Sequence, residues 1–240
     1  MSGVQALLFD AGNTLVSLDY GFLIELISSV RTPPPLEVLR AADQRIRFQL
    51  DAGLRDRARL NGGLPPGAAS MGSAELWKRY VGGLFEAVGV PPQHCDDFIA
   101  AAHRKDQRDA AGLWCDLEKD LPGVLEELRR RGYILAVVSN SDGRLRLKFD
   151  TLNLTSYFAF ILDSAEVGVE KPDRRLFEMA ASMCGVPPAQ CAYIGDLLAV
   201  DILGARSAGM QAVLFDPANL YSAIEPERVR SCRDLLERFN

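Results

Sequence analysis

The stretch Leu7-Leu8-Phe9-Asp10-Ala11-Gly12-Asn13-Thr14-Leu15 decides how the rest of the chain is read. An apolar run ends in a carboxylate, and a small, polar, turn-prone cluster follows at once. Physically this is a short buried strand that stops and leaves Asp10 at its carboxyl end, beside backbone able to approach a ligand closely. In open α/β sheets that edge is where ligands bind.

Working outward, the texture changes from Tyr20 to about Ala110: β-branched runs disappear and apolar residues recur at helical spacing. Leu23, Leu26, Ile27 and Val30 form one apolar face, and Leu36, Leu39, Ile46 and Leu50 a second, entered through Pro33-Pro34-Pro35. Leu76, Tyr80, Leu84 and Val88 predict a third helix, and Pro91-Pro92 leads into a fourth through Phe98 and Ile99. Asn61 to Gly67 is a loop by composition. The arginines of the second helix (Arg40, Arg45, Arg47, Arg55, Arg57, Arg59), interleaved with Asp43, Asp51 and Asp56, read as a solvated, salt-bridged face, the alternative being that one arginine points into the cleft and reads a substrate anion. Trp77, Trp114, His94 and His103 read as packing or surface residues.

After Trp114 strands and helices alternate. Strands are expected at Tyr133–Val138, Phe160–Leu162, Cys191–Ile194 and Gln211–Phe215, with helices between them that stop at Gly132, Gly185 and Gly209. Such alternation implies a doubly wound parallel sheet, an α/β Rossmann-like core interrupted after its first strand by an all-helical insert.

Bulk properties narrow the function. The 240 residues are 48% hydrophobic and 25% charged, ordinary for a globular protein, and the net charge of −5 gives no reason to expect nucleic acid or an anionic membrane as partner. No apolar run approaches the ~20 residues that span a bilayer, and Val4 to Phe9 is too short for a secretory leader. The five cysteines are scattered, with no CxxC, and fit reduced thiols in a cytoplasm. Neither GxGxxG after the first strand nor GxxxxGK[ST] is present, which argues against dinucleotide and P-loop chemistry.

Four polar sites fall at or just beyond strand ends: Asp10, Ser139, Lys171 and Asp196. Right-handed crossovers carry carboxyl-terminal strand ends to one edge of the sheet, so these groups are expected to converge. The sequence here resembles the haloacid dehalogenase-like hydrolases, in the subfamily with a small helical cap after the first strand. The resemblance rests on Leu8-Phe9-Asp10 through Thr14-Leu15, Val137-Val138-Ser139-Asn140, Glu170-Lys171-Pro172-Asp173, and Gly195-Asp196 with Asp201. It implies that Asp10 attacks phosphorus and forms an aspartyl-phosphate. It also implies Mg²⁺ held by Asp10, Asp196 and the carbonyl of Gly12, with Asp201 orienting the metal shell and Thr14 in a supporting place. Ser139 and the Asn140 amide would hold phosphate oxygens, and Lys171 would neutralise the charge on the transferred group.

One position departs from that pattern. Phosphatases of this superfamily usually carry an Asp two residues after the nucleophile, which protonates the leaving alcohol and then activates water. This chain has Gly12. A general acid–base group is typically worth ~10²–10⁴-fold, so a phosphatase with glycine there is expected to be slow or restricted to good leaving groups. Three other readings stay open: a 2-haloacid dehalogenase, in which Asp10 displaces halide without a metal; a phosphonate-cleaving relative, for which Lys78 is the candidate cap lysine; and a weakly catalytic binding or regulatory protein. Asp19 and His103 are candidates to replace the missing acid. The expected organisation is a core of residues 1–16 and 113–240 and a cap of residues 17–112, acting on a small phosphorylated molecule.

Overall fold

The computed structural model describes residues 3–61, 64, 74–225 and 227–240. Its centre is the strand β1, Ala6–Phe9, every residue of which is buried. A two-residue strand β2 (Ser17–Leu18) follows, then α1 (Tyr20–Ser28), α2 (Leu36–Asn61) and α3 (Ala74–Trp77). α3 runs through a π-helical turn, Lys78–Gly82, into α4 (Gly83–Ala87), and α5 (Pro92–Arg108) completes the helical segment. β3 (Trp114–Asp116), α6 (Leu121–Arg130), β4 (Ile134–Ser139), α7 (Leu145–Thr151), β5 (Phe160–Asp163), α8 (Ser164–Val167) and α9 (Arg174–Cys184) come next. The chain ends with β6 (Cys191–Gly195), a second π-helical turn at Leu198–Ile202, α10 (Leu203–Ser207), β7 (Gln211–Phe215), β8 (Arg228–Val229) and α11 (Asp234–Arg238).

Six strands form a parallel sheet in the order β5-β4-β1-β6-β7-β8, the doubly wound arrangement expected. β8, too short to signal itself in the sequence, extends the sheet by one strand. Alternate residues of the central strands feed opposite layers, as a period of two requires. Leu7, Phe9, Leu135 and Val137 pack with α6, α7 and α11, whereas Ala6, Leu8, Ala136 and Val138 pack with α9 and α10.

The helical segment has its own apolar cluster, including Leu23, Ile27, Leu39, Tyr80, Leu84, Phe85 and Phe98. All four expected helices form where the spacing puts them, the second running on to Asn61. The third differs in detail: Lys78–Gly82 winds as a π turn between α3 and α4. β2 and β3 pair antiparallel, Ser17 with Asp116 and Leu18 with Trp114, so the two ends of the segment are tied together by a ribbon. The loop expected over Asn61 to Gly67 lies mostly outside the described residues, although α2 extends to Asn61.

The solvated face expected on α2 needs correction. Asp43 and Asp51 are each 0% exposed. Asp43 accepts from the hydroxyls of Tyr20 (3.0 Å) and Tyr80, and Asp51 accepts from the Ala199 amide (2.7 Å) and Arg55 Nε (2.9 Å). These carboxylates stay buried because each has specific donors, the condition under which burial of a charge is tolerated.

Candidate active site

The register of the sheet brings the expected residues together. Phe9 is level with Val137 of β4 and with Ile194 of β6, so Asp10, Ser139 and Asp196 leave three adjacent strands at one edge. The order of connection reverses around β1, and this edge is therefore the crevice where a doubly wound sheet takes its ligands.

Asp10 Oδ1 accepts from Ser139 Oγ (2.8 Å) and from Lys171 Nζ (2.6 Å). Lys171 also donates to Asp201 Oδ1 (2.7 Å) and to the Tyr193 hydroxyl (2.8 Å), which itself donates to the Val138 carbonyl (2.7 Å). Burial opposes the charged ammonium, but Asp10 and Asp201 outweigh it and hold the Lys171 pKa well above its ordinary value. The amine is thus a fixed positive charge. Local structure aims it: Asp173 caps α9 by accepting from the Arg175 amide (2.9 Å), and the Asn140 side chain clasps the Lys171 main chain through both its amide atoms (2.8 and 3.0 Å). Since the Asn140 side chain is spent on this clasp, any contact it makes with an anion must come through its main chain.

Asp196 and Asp201 lie on the turn after β6. Asp201 Oδ2 accepts from the Leu197 amide (2.9 Å). A Cβ on residue 195 would sit 2.5 Å from Asp201 Cβ, so the strand must end in glycine for Asp201 to reach Lys171. Burial pushes the pKa of both carboxyls up, opposed at Asp196 by Arg47 and at Asp201 by Lys171. Loop 140–145, after Ser139, is braced by Asp163, which accepts from the amides of Gly143 (3.0 Å) and Leu145 (3.3 Å).

Ligand oxygens of Asp10, Asp196 and Asp201 lie within 4.8 Å of one another. The set is all carboxylate, with a nearby Gly12 carbonyl that accepts no hydrogen bond among the described residues. Three carboxylates face two buried cations, Lys171 and Arg47. Hard oxygen donors gathered in this way fit a small divalent cation such as Mg²⁺. Thr14 is buried close by in sequence, and its Oγ1 has no partner among the described residues.

A cavity of about 910 Å³ opens over this edge, lined among others by Asp10, Gly12, Ser139, Trp77, Trp114 and Arg47. Arg47, set aside above as a surface residue, reaches from α2 and donates from Nη1 to Asp196 Oδ2 over 2.7 Å. A signal for it existed: Leu39, Asp43, Arg47, Asp51 and Leu54 follow one stripe of a 3.6-residue repeat, so these charges share the apolar face rather than the solvated one. Asp19 is engaged elsewhere, capping α1 at the Phe22 amide (2.9 Å) and pairing with Lys105 (3.1 Å). His103 is exposed at the cavity wall, edge-on to Trp77. Lys78 is exposed and 3.6 Å from Asp96.

The family model of haloacid dehalogenase-like hydrolases matches residues 4–209. The chain belongs to this family. Among relatives of the haloacid dehalogenase-like chain, a phosphoserine phosphatase of Thermus thermophilus is 35% identical over 151 residues, 62% of this chain and 56% of that protein. A haloacid dehalogenase-like hydrolase domain-containing protein 3 of Mus musculus is 36% identical over 142 residues, 59% of this chain and 56% of its own length. A ribulose-1,5-bisphosphate 5-phosphatase of Halopiger xanaduensis is 34% identical over 110 residues, 45% of this chain and 46% of that protein. The chain therefore spans about half the length of these relatives. A magnesium-bound putative HAD-hydrolase of Bacillus subtilis shares the fold (TM-score 0.59, 19% identity, all of both chains). So does a 2-haloacid dehalogenase of Pseudomonas syringae (TM-score 0.54, 20% identity, 99% of this chain and 100% of that one). No helix among the described residues is long and apolar enough to cross a membrane.

Proposed function

We propose that this hydrolase is a Mg²⁺-dependent phosphatase of small phosphomonoesters, working through an aspartyl-phosphate on Asp10. The observation that carries the reading is the position of Asp10: one oxygen is held by Ser139 and Lys171, and the other is bonded to no described residue. A carboxylate fixed in this way keeps one oxygen aimed for in-line attack and loses little freedom in the transition state. Lys171, bridging Asp10 and Asp201, stands where negative charge gathers on the transferred group. Ser139 and the main chain of Asn140 would hold its oxygens. Asp10, the Gly12 carbonyl and Asp196 would hold Mg²⁺, with Asp201 orienting the shell. Bound there, the cation supplies positive charge to the phosphoryl oxygens.

Residues 17–112 are proposed as a cap over a core of residues 1–16 and 113–240, excluding water and selecting the leaving group. Phosphatase names among the relatives support a phosphorylated substrate. Five cysteines without a disulfide support a reducing, cytoplasmic setting.

Gly12 brings no titratable group beside Asp10, so the reading includes a preference for leaving groups that need no proton. Hydrolysis of p-nitrophenyl phosphate, with Mg²⁺ and with EDTA, by wild type and Asp10→Asn tests it. Turnover that needs Mg²⁺ and disappears in the variant is expected. No turnover by folded wild-type protein would overturn the reading. One observation favours a second: Arg47 neutralises Asp196 without a metal, as metal-free displacement of halide by Asp10 would require. Halide release in EDTA would establish that alternative.

A further inference from the structure

Beside the nucleophile, where an acid's side chain would project, the structure places an indole. A Cβ built on Gly12 lies 3.6 Å from Trp114 Cδ1 and 3.7 Å from Trp114 Nε1. The pyrrole edge of Trp114 therefore borders the space that a carboxyl at position 12 would enter. Its N–H is buried and has no acceptor among the described residues. Buried polar groups are normally paired, and one without an acceptor, on a residue that lines the same cavity as Asp10, is a place for a ligand's acceptor.

The ring is held in place. Tyr80 stacks on Trp114 (centroids 6.0 Å apart, 18° between planes), Trp77 meets it edge-on (5.4 Å, 66°), and the Lys148 ammonium lies 5.8 Å from its centroid. Trp77 is only 7% exposed, and its Nε1 is also buried without a partner. Two cations near the ring are already matched: Lys148 is 3.8 Å from Asp106, and Arg144 pairs with Asp106 (3.4 Å) and Asp142 (2.7 Å). The wall is therefore aromatic, and two of its N–H donors have no acceptor among the described residues. It fits a flat, uncharged organic group that presents an oxygen acceptor.

We infer that the substrates are aryl phosphomonoesters and that Trp114 Nε1–H donates to the bridging oxygen as the leaving group departs. The inference rests on the phosphatase reading above and names its substrate class. An Asp10 oxygen bonds to phosphorus while the bond from phosphorus to the aryl oxygen breaks, and its electron pair stays on that oxygen. The indole stabilises the developing phenolate without giving up its proton. A phenol, like Tyr, has a pKa of about 10, so its anion leaves without an acid and takes a proton from water afterwards. Water oxygen then bonds to phosphorus, the bond to Asp10 breaks and restores the carboxylate, and the water's proton passes to solvent. The glycine at position 12 and the aromatic wall, two separate features, thus select the same leaving group.

The test is a series of substituted phenyl phosphates and alkyl phosphates, read as the dependence of kcat/KM on leaving-group pKa with Mg²⁺ present. Wild type should prefer phenyl over alkyl phosphate. Trp114→Phe, which keeps the ring and removes the donor, should lose about tenfold on phenyl phosphate, lose less on p-nitrophenyl phosphate, and so steepen the dependence. Equal turnover of alkyl and phenyl phosphates by wild type, or an unchanged slope in a folded Trp114→Phe, would overturn the inference. A second measurement reads binding alone: phenyl phosphate added to ¹⁵N-labelled Asp10→Asn should shift an indole N–H resonance, whereas phenylphosphonate, which lacks the bridging oxygen, should shift it less. Absence of any indole shift on binding would also overturn it. Loss of the phosphatase reading itself would look different, as no turnover of any ester in the series.

Discussion

Arg47, on the long helix α2, donates from Nη1 to Asp196 Oδ2 at 2.7 Å, joining the helical segment to the turn after β6. Both side chains are largely buried, and Asp43 lies 3.4 Å from Arg47 Nε. The pair places a cation from the helical segment on a carboxylate proposed to hold Mg²⁺. Two positive charges cannot share that oxygen cheaply, because like charges at contact distance repel strongly where water is excluded.

Arg47→Gln should therefore bind Mn²⁺ or Mg²⁺ about tenfold more tightly, an effect of about 1.4 kcal/mol, read by calorimetry or by Mn²⁺ electron paramagnetic resonance. The same variant should lose about 3 kcal/mol of metal-free stability, because Asp196 is left buried and unpaired. Metal affinity equal to or below that of wild type would show that Arg47 does not compete for the site.

Lys171→Met should reduce kcat by at least about 10²-fold, the scale seen when a preorganised stabilising group is removed. Far-ultraviolet circular dichroism on the same sample checks that the sheet survives. Activity near wild type would remove Lys171 from the account.

Gly12→Asp should raise turnover of alkyl phosphates, by up to the ~10²–10⁴-fold that an acid–base group supplies. The new Cβ meets Trp114 at ordinary contact distance, so the first atom of the side chain is accommodated. An unchanged rate in a folded, Mg²⁺-binding variant would mean that the missing acid does not limit the enzyme.

Gly195→Ala should be destabilising by about 1–3 kcal/mol, because its Cβ would overlap Asp201. Activity should fall with it, since Asp201 holds Lys171. A melting temperature equal to wild type would contradict the packing described.

These predictions depend on features of unequal visibility in the sequence. Asp10, Ser139 and Asp196 could be read because each follows a buried strand, and strand ends are marked by an abrupt change from apolar to small or polar residues. Lys171 could be read from its place before a capped helix. Arg47 and Asp43 were harder, since a charged residue in a helix is usually solvated and only its place on the apolar stripe marks it as buried. The ribbon of β2 and β3 has too few residues to show a period. The approach of Trp114 to the Cβ position of Gly12 joins residues far apart in the chain, and the π turn that carries Asp201 depends on packing around it. No local pattern encodes either.

Asp10 is proposed to carry the phosphoryl group. With no base at position 12 to activate water, that intermediate should accumulate during turnover. Protein quenched in acid during hydrolysis of p-nitrophenyl phosphate with Mg²⁺ should show, by peptide mass spectrometry, one phosphoryl group on the peptide containing Asp10. Asp10→Asn should show none. Full turnover by Asp10→Asn, with no phosphoryl group on the wild-type peptide, would contradict the account.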